Sequence, residues 1–239
     1  MFQLDLAPAD PILGLTETFK ADTHPDKINL GVGVYQDATG KTPILKAVTQ
    51  AETHLLENES SKGYLSIPGV PELATHTQEL LFGAGHAIIH ESRAKTAQTP
   101  GGTGALRVAA DFLLRAAPKA TVWLSNPSWA NHQAIFEAAG FPVRDYRYYD
   151  EASQGLDGEG FMADLEGVAE GDIVILHACC HNPSGIDLDQ AAWEAIATQA
   201  KAKNVVCLVD FAYQGFGDGL EEDRAGLHIL LNAGLSVLV

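Results

Sequence analysis

Two spacings of apolar residues alternate along the chain from about residue 94 onward. One is a short β-branched run, typical of a strand buried on both faces of a parallel sheet. We predict such strands at 94–99, 121–125, 143–149, 172–177, 205–209 and 236–239. The other is the spacing of an amphipathic helix, which predicts helices at 105–113, 132–139, 191–203 and 227–232. This alternation indicates an α/β fold with a mostly parallel sheet flanked by helices and right-handed crossovers.

The first part of the chain has a weaker pattern. Prolines and few periodic apolar positions before residue 27 indicate an extended arm with a short helix near 12–21. A strand-like stretch at 27–35 contains Gly33, where glycine favours a bulge or the close approach of a ligand. Further helices are predicted at 44–57 and 71–82, and a Gly- and acid-rich loop at 150–160.

The charge balance excludes several classes of partner. The chain has 15 Lys and Arg against 31 Asp and Glu, a formal net charge of −16. Such an acidic protein repels phosphate backbones and anionic membranes, so we expect no nucleic-acid or membrane partner. The N-terminus has no secretory signal pattern, and no apolar run approaches membrane-spanning length. With only 3 cysteines, too few for a disulfide framework, the sequence predicts a cytoplasmic protein.

The run at 205–209 leads directly into Asp210, with Tyr213 three residues further on. The carboxyl end of a buried parallel strand is where open α/β sheets bind ligands. A carboxylate there needs a cationic or donor partner to offset its desolvation. Asp210 alone would fit a turn cap equally well, but other strand ends also carry groups suited to ligand binding.

The sequence Gly101-Gly102-Thr103-Gly104 lies between a predicted strand and a predicted helix. Glycines allow backbone N–H groups to approach an anion, Thr103 adds a hydroxyl, and the helix N-terminus adds partial positive charge. The segment lacks the Lys-Ser/Thr of a P-loop, and Arg107 stands where a dinucleotide motif has its third glycine. It therefore predicts a site for a single phosphate, with a tight glycine turn as the alternative.

The segment His177-Ala178-Cys179-Cys180-His181 contains possible zinc ligands. Adjacent cysteines at a strand end point to opposite faces, so four ligands would not converge on one metal ion. We predict no metal and favour a structural or supporting role for His177. The Asn-Pro turns at 126–127 and 182–183 would hold side-chain amides rigidly, and no Gly-x-Ser-x-Gly elbow of a serine hydrolase is present.

Taken together, the strand ends supply a phosphate cradle, an aromatic platform, an amide, an acid and a phenol. This set matches pyridoxal phosphate (PLP), which has a phosphate, a flat ring, a ring nitrogen that must stay protonated and a phenolic oxygen. An ion pair with a carboxylate raises the pKa of the ring nitrogen and keeps it protonated. The residues concerned are Gly102, Thr103, Trp129, Asn182, Asp210 and Tyr213.

The chain also resembles the class I aminotransferases of PLP fold type I, closest to those from bacteria that act on aspartate. The resemblance covers essentially the whole chain and rests on the segments APADPILGL, KINLGVGVY, QTPGGTGALRVAADF, SNPSWANH, HACCHNPSG and DFAYQGF followed by GLEED. It implies an α/β large domain over 45–239, incomplete at its end, and an N-terminal arm with a small-domain segment over 1–44.

The resemblance also implies residue roles. Gly102 and Thr103 would bind the cofactor phosphate, and Tyr64 would reach the phosphate in the neighbouring subunit of a homodimer. Trp129 would stack on the pyridine ring, Asn182 and Tyr213 would bond its phenolic oxygen, and Asp210 its nitrogen, with His132 supporting Asp210. Gly33, Trp129 and Asn182 would contact the substrate α-carboxylate. Asn126-Pro127 and Asn182-Pro183 are expected to be cis, and Gly101 stands where some relatives carry Ser.

The resemblance implies that the family's Schiff-base lysine lies beyond Val239, together with the arginines that bind phosphate and substrate carboxylates. This lysine is both covalent anchor and proton carrier, so no catalytic residue is expected within the 239 residues.

The expected reaction is PLP-dependent transfer of the amino group of aspartate to 2-oxoglutarate, giving oxaloacetate and glutamate. An aromatic amino-acid aminotransferase is the alternative within the family, because the residues that select the side chain lie mostly beyond Val239. Two further alternatives are a catalytically silent fragment and a zinc module built on His177, Cys179, Cys180 and His181.

Overall fold

A computed structural model describes residues 11–28 and 34–239 of the chain, without the side chains of 11–14. The chain divides into two compact units, residues 1–64 and 65–239. The described part of the first unit contains α1 (Pro11–Ala21) and α2 (Lys46–Asn58), which confirms the helices predicted there. The strand-like stretch at 27–35 lies largely outside the described residues. The boundary predicted between residues 44 and 45 remains a prediction.

The second unit is built on a five-stranded parallel sheet in the order β2-β1-β5-β6-β7. Its strands are β1 (Val122–Asn126), β2 (Val143–Arg147), β5 (Ile173–His177), β6 (Val206–Asp210) and β7 (Val237–Leu238). A separate antiparallel hairpin joins β3 (Tyr149–Asp150) and β4 (Gly155–Leu156). The helices are α3 (Pro71–Phe82), α4 (Ala87–His90), α5 (Gly101–Ala116), α6 (Ala130–Ala139), α7 (Gly158–Glu166), α8 (Gln190–Lys203) and α9 (Ala225–Asn232). The predicted α/β class is confirmed.

Alternate residues of the central strands pack on opposite faces of this sheet. Ile173 and Ile175 of β5 join a cluster with α5 and α6 on one face. Val174 and Leu176 join a cluster with α7, α8 and α9 on the other. Because both faces are covered, every residue of β5 is buried, which explains why its sequence is a continuous apolar run rather than an alternating one.

The ends of α8 and α6 are stabilised by local contacts. The Asp189 carboxylate accepts the N–H of Ala192 at 2.8 Å and so caps α8. Gly140 ends α6 in the left-handed conformation, with φ of 105°, which glycine adopts without steric cost.

Two predicted elements are wrong. No residue of 94–99 is in a strand: within the described part of the chain this segment pairs with none of the strands, and the N–H of Gln98 donates instead to the carbonyl of Pro68. The stretch 150–160 is more than a loop, because it contains the β3–β4 hairpin and the start of α7. There the Asp157 carboxylate accepts the N–H of Gly160 at 2.8 Å, an N-cap that the glycine-rich composition conceals.

Three central strands end at the same level. The β5–β6 register pairs His177 with Asp210. The β1–β5 register pairs Val122 with Ile173, which brings Asn126 level with His177. All three residues therefore lie at the carboxyl edge of the sheet, where an open α/β sheet binds ligands. Among the helices within 11–28 and 34–239, none is long and apolar enough to cross a membrane.

Candidate active site

Asp210 is fixed at this edge by His132. Asp210 ends β6, and its Oδ2 lies 2.8 Å from Nε2 of His132 in the first turn of α6. The His132 side chain is fully buried, whereas that of Asp210 is 22% exposed. Because a carboxylate only accepts, Nε2 carries the hydrogen, and Nδ1 faces the hydroxyl of Ser128 at 2.9 Å. His132 therefore holds Asp210 through Oδ2 and leaves the carboxylate partly exposed to a ligand.

Two opposing effects set the ionisation of Asp210. Burial raises the pKa of its carboxyl group. The hydrogen bond and charge of His132, with smaller contributions from His177 and the N–H of Ala212, outweigh burial and bring the pKa below its usual range. Asp210 is therefore an anion at neutral pH, available to a cationic group of a ligand.

His177, next to Asp210 in the sheet, has a buried nitrogen without a partner. Its side chain accepts the N–H of Asn182 through Nδ1 at 3.2 Å, so the hydrogen of the neutral ring is on Nε2. Nε2 has no hydrogen-bond partner among the described residues, although His177 is only 7% exposed. Burial, followed by the neighbouring imidazoles of His181 and His132, lowers the pKa of His177 to about 3. The ring is neutral, and its unpaired donor is available to a ligand or water.

The predicted phosphate cradle forms the start of α5. Gly101 has a positive φ of 70°, and a Cβ added at Gly101 or Gly102 would meet no atom within 4 Å. No side chain caps this helix, and its first turn has no acidic residue. The start of α5 is therefore open at Gly101 and Gly102, which leaves room for an anion at this helix N-terminus. Because α5 is followed closely by β1 and packs against the sheet, its N-terminus points towards the carboxyl edge.

Trp129 and Asn182 adjoin the same edge. Trp129 precedes α6, and its ring meets that of His132 edge to face, with centroids 5.3 Å apart. Asn182 follows β5 and is joined to His177 through its backbone N–H. The Asn126-Pro127 and Asn182-Pro183 peptide bonds are both cis, as expected.

The remaining predicted residues are less closely connected. Tyr213 lies in the turn after β6, where its carbonyl accepts the N–H of Phe216 at 3.0 Å. Thr103 is exposed in the first turn of α5. Tyr64 belongs to the first unit and is exposed. Gly33 lies outside the described residues.

The structure also joins groups that the sequence did not connect. Ser128 supports His132, as described above, and His181 bonds Ser125 with Nε2 to Oγ at 2.9 Å. The only sequence signal for these contacts was that Ser125, Ser128 and His181 lie next to the two Asn-Pro turns. Across 11–28 and 34–239, no group of three or more His, Cys, Asp or Glu side chains is placed to hold a metal ion.

The fold agrees with the comparisons to known proteins. The model of the family described as aminotransferase class I and II matches residues 25–239. The chain belongs to this family.

Among curated relatives, the chain is 57% identical to the aspartate aminotransferase of Salmonella typhi over 95% of its length. It is 46% identical to the aromatic-amino-acid aminotransferase of Pseudomonas aeruginosa over 97%. Each match covers 58% of the relative, so the chain spans less than two thirds of their length.

Among solved structures, the aromatic-amino-acid aminotransferase of Burkholderia pseudomallei, covalently bound to pyridoxal phosphate, superposes with a TM-score of 0.94 at 48% identity. This match covers 98% of the present chain and 59% of that one. Cytoplasmic aspartate aminotransferase of Saccharomyces cerevisiae superposes with a TM-score of 0.88 at 35% identity, covering 96% and 56% of the two chains.

Proposed function

We propose that the intact protein is an aspartate aminotransferase that uses PLP to transfer the amino group of L-aspartate to 2-oxoglutarate, giving oxaloacetate and L-glutamate. The observation that carries this proposal is the ionised, partly exposed carboxylate of Asp210, fixed by buried His132 at the carboxyl edge of the sheet. The identity of 57% with an aspartate aminotransferase supports the choice of substrate.

The described residues fit PLP. The open N-terminus of α5 suits its phosphate, with Gly102 and Thr103 as ligands. The anionic Asp210 suits its protonated ring nitrogen. The unpaired, buried Nε2–H of His177, beside Asp210 in the sheet, is a further donor to the same region.

We propose the remaining contacts from the family resemblance, with Gly33 lying outside the described residues. Trp129 stacks on the ring, and Asn182 and Tyr213 donate hydrogen bonds to its phenolic oxygen. Gly33, Trp129 and Asn182 bind the α-carboxylate of the substrate. A side-chain amide and a backbone N–H are suitable donors to a carboxylate.

Asp210 has the main electrostatic role in this proposal. PLP supplies the electron sink for bond breaking at the amino-acid Cα. Asp210 holds a proton at the ring nitrogen, because an adjacent anion favours the protonated form of that nitrogen. His132 keeps Asp210 ionised, and Ser128 fixes the His132 ring through Nδ1. The buried His132 also excludes water from one side of the carboxylate.

Turnover of aspartate against tyrosine, each with 2-oxoglutarate, tests the proposed substrate. We expect kcat/KM for aspartate to exceed that for tyrosine by at least tenfold, a difference of about 1.4 kcal/mol in transition-state binding. The TM-score of 0.94 to an aromatic-amino-acid aminotransferase makes that activity the second candidate. A preference for tyrosine would establish the second candidate, and no turnover of either substrate would refute both.

We further propose a homodimer in which Tyr64 binds the cofactor phosphate of the other subunit. The exposed position of Tyr64 on its own unit supports this role. Sedimentation should show a dimer, and Tyr64→Phe should weaken PLP retention. In mixed dimers, one subunit carries Tyr64→Phe, and a second substitution inactivates one of the two sites so that the other can be measured alone. The weaker PLP retention should then appear at the partner's site. A defect confined to the subunit carrying the substitution would rule out sharing.

We also propose a cytoplasmic location. Cys179, Cys180 and Cys207, the 3 cysteines of the chain, are all free thiols, which fits a reducing compartment. Cell fractionation should recover the protein with the cytoplasmic fraction, and its recovery from an oxidising compartment would refute this location.

A further inference from the structure

A single buried imidazole, His181, connects the two Asn-Pro turns. His181 is 2% exposed. Its Nε2 lies 2.9 Å from Oγ of Ser125, which directly precedes Asn126-Pro127. Its Nδ1 lies 2.7 Å from Oγ of Ser184, which directly follows Asn182-Pro183. The side chain therefore joins the carboxyl end of β1 to the turn after β5.

Neighbouring groups hold both ends of this connection. At one end, the N–H of Ile186 donates to Ser184 Oγ at 3.1 Å. At the other, Ser125 pairs with Tyr146 in the register of β1 and β2, and the hydroxyl of Tyr146 donates to the carbonyl of Ile175 at 2.8 Å.

A neutral His181 ring matches the two serine hydroxyls. The ring nitrogen that carries the hydrogen donates to one serine, and the bare nitrogen accepts from the other. A protonated ring would lose the accepting nitrogen.

The surroundings of His181 hold the ring in its neutral state. It stacks on Tyr148 with centroids 4.0 Å apart and planes inclined by 14°, and the His177 ring lies 4.3 Å away. Burial, followed by the charge of nearby His132, lowers the pKa of His181 to about 4. The backbone N–H of His181 donates to Oδ1 of Asp187 at 2.8 Å, which fixes the same turn from its other side.

We propose that His181, in its neutral form, is a positioning residue that locks the Asn182 turn to the ends of β1 and β2. The role rests on the proposed function, in which Asn182 bonds the cofactor's phenolic oxygen and the substrate carboxylate. His181 itself contacts neither molecule. It acts through the turn that carries Asn182, since the two residues are adjacent and Ser184 closes the turn.

Nitrogen NMR of the intact protein tests the neutral state of His181 without cofactor. With ¹⁵N-labelled histidine, the signals of His181 are assigned by their loss in His181→Phe. We expect one protonated and one bare ring nitrogen throughout pH 6 to 8 (roughly the range in which a free imidazole titrates). A charged ring in this range would overturn the proposal.

A double-mutant cycle tests whether His181 acts through Asn182. His181→Phe keeps an aromatic ring next to Tyr148 but removes both hydrogen bonds, and Asn182→Ala removes the amide. We expect His181→Phe to weaken PLP binding roughly tenfold in the wild-type background and less than about twofold in the Asn182→Ala background, because neighbouring residues that act together are not additive. Equal weakening in both backgrounds would mean that His181 does not act through Asn182 and would overturn the proposal.

Tyr148→Phe is the matched control. It removes the hydrogen bond from the Tyr148 hydroxyl to the carbonyl of Ile186, 2.6 Å long and in the same turn, but leaves the Ser125–His181–Ser184 bonds intact. We expect lower thermal stability with PLP affinity changed less than about twofold. If it weakens PLP binding as much as His181→Phe does, general loosening of the turn explains both, and the positioning role of His181 is refuted.

Failure of the proposed function would give a different result. If the unsubstituted protein does not bind PLP, the proposed function fails, and the positioning role fails with it. If it does bind PLP, the cycle decides the role of His181. Should His181→Phe fail to fold, Ser184→Ala replaces it in the same cycle, with the same expected outcomes.

Discussion

Nε2 of His132 lies 2.8 Å from Oδ2 of Asp210, although the two residues are 78 positions apart in the sequence. The contact joins the first turn of α6 to the end of β6 and places a buried donor against a partly exposed acid. It lets Asp210 remain ionised where burial alone would favour its neutral form.

Removing His132 should raise the pKa of Asp210. In His132→Phe, burial would act on the carboxyl group without the opposing hydrogen bond and charge. We therefore expect the pKa of Asp210 to rise. A ¹³C NMR titration of the Asp210 carboxyl carbon measures this. Ser128→Ala, which removes only the bond to His132 Nδ1, should shift the pKa less. An unchanged pKa in His132→Phe would contradict the electrostatic account of Asp210.

A methyl group at Gly102 should block the phosphate cradle without disturbing the fold. The new Cβ would meet no protein atom within 4 Å, so we expect stability to change by less than about 0.5 kcal/mol. Affinity for PLP should fall roughly tenfold, because the methyl group would occupy the space in front of the first-turn N–H groups. Fluorescence titration with PLP measures this affinity.

Gly158→Ala is the control for that substitution. Gly158 is also a first-turn helix glycine with open space at its Cβ, but it belongs to α7. Its substitution should leave PLP affinity unchanged. Equal affinities of Gly102→Ala and the wild type would remove the start of α5 from the cofactor site.

The buried imidazoles should make stability fall as the pH is lowered from neutral. In the folded protein the pKa of His177 is about 3 and that of His181 about 4. The unfolded chain therefore binds more protons than the folded one below about pH 6.5. Each of these two histidines should lower the free energy of unfolding by about 1.4 kcal/mol per pH unit. Together they should lower it by roughly 2–3 kcal/mol between pH 6 and 5.

Urea unfolding at pH 7, 6 and 5 measures this dependence. His177→Phe should lose roughly half of the slope between pH 6 and 5. The exposed His90 provides the control, since His90→Gln should leave the slope unchanged. A slope in His177→Phe equal to that of the wild type would show that His177 is not held neutral by the fold.

The sequence was most informative where a local pattern has one structural solution. The run at 205–209 required a strand buried on both faces, and this placed Asp210 at the carboxyl edge. The partner of Asp210 was available only through the family resemblance, because nothing local to His132 indicates which strand it will meet. The Ser125–His181–Ser184 connection was not predicted, since it depends on the register between β1 and β5.

The two wrong predictions of secondary structure also have physical causes. Segment 94–99 was predicted as a strand from its composition. A strand also needs a neighbouring strand for its backbone hydrogen bonds, and no strand of the described residues pairs with this segment. At 150–160, glycine and acidic residues suggested a loop, whereas the carboxylate of Asp157 starts a helix there. Composition alone does not distinguish an acidic loop residue from an N-cap.

The most direct test of the central claim is the protonation state of the ring nitrogen of bound PLP. With [¹⁵N]PLP in the intact protein near pH 8, we expect the chemical shift of a protonated nitrogen in the wild type and of an unprotonated nitrogen in Asp210→Ala. Asp164→Ala, which removes a carboxylate paired with Arg147 at the surface, should leave the nitrogen protonated. If wild type and Asp210→Ala give the same shift, Asp210 does not face the ring nitrogen and the assignment of this site is wrong.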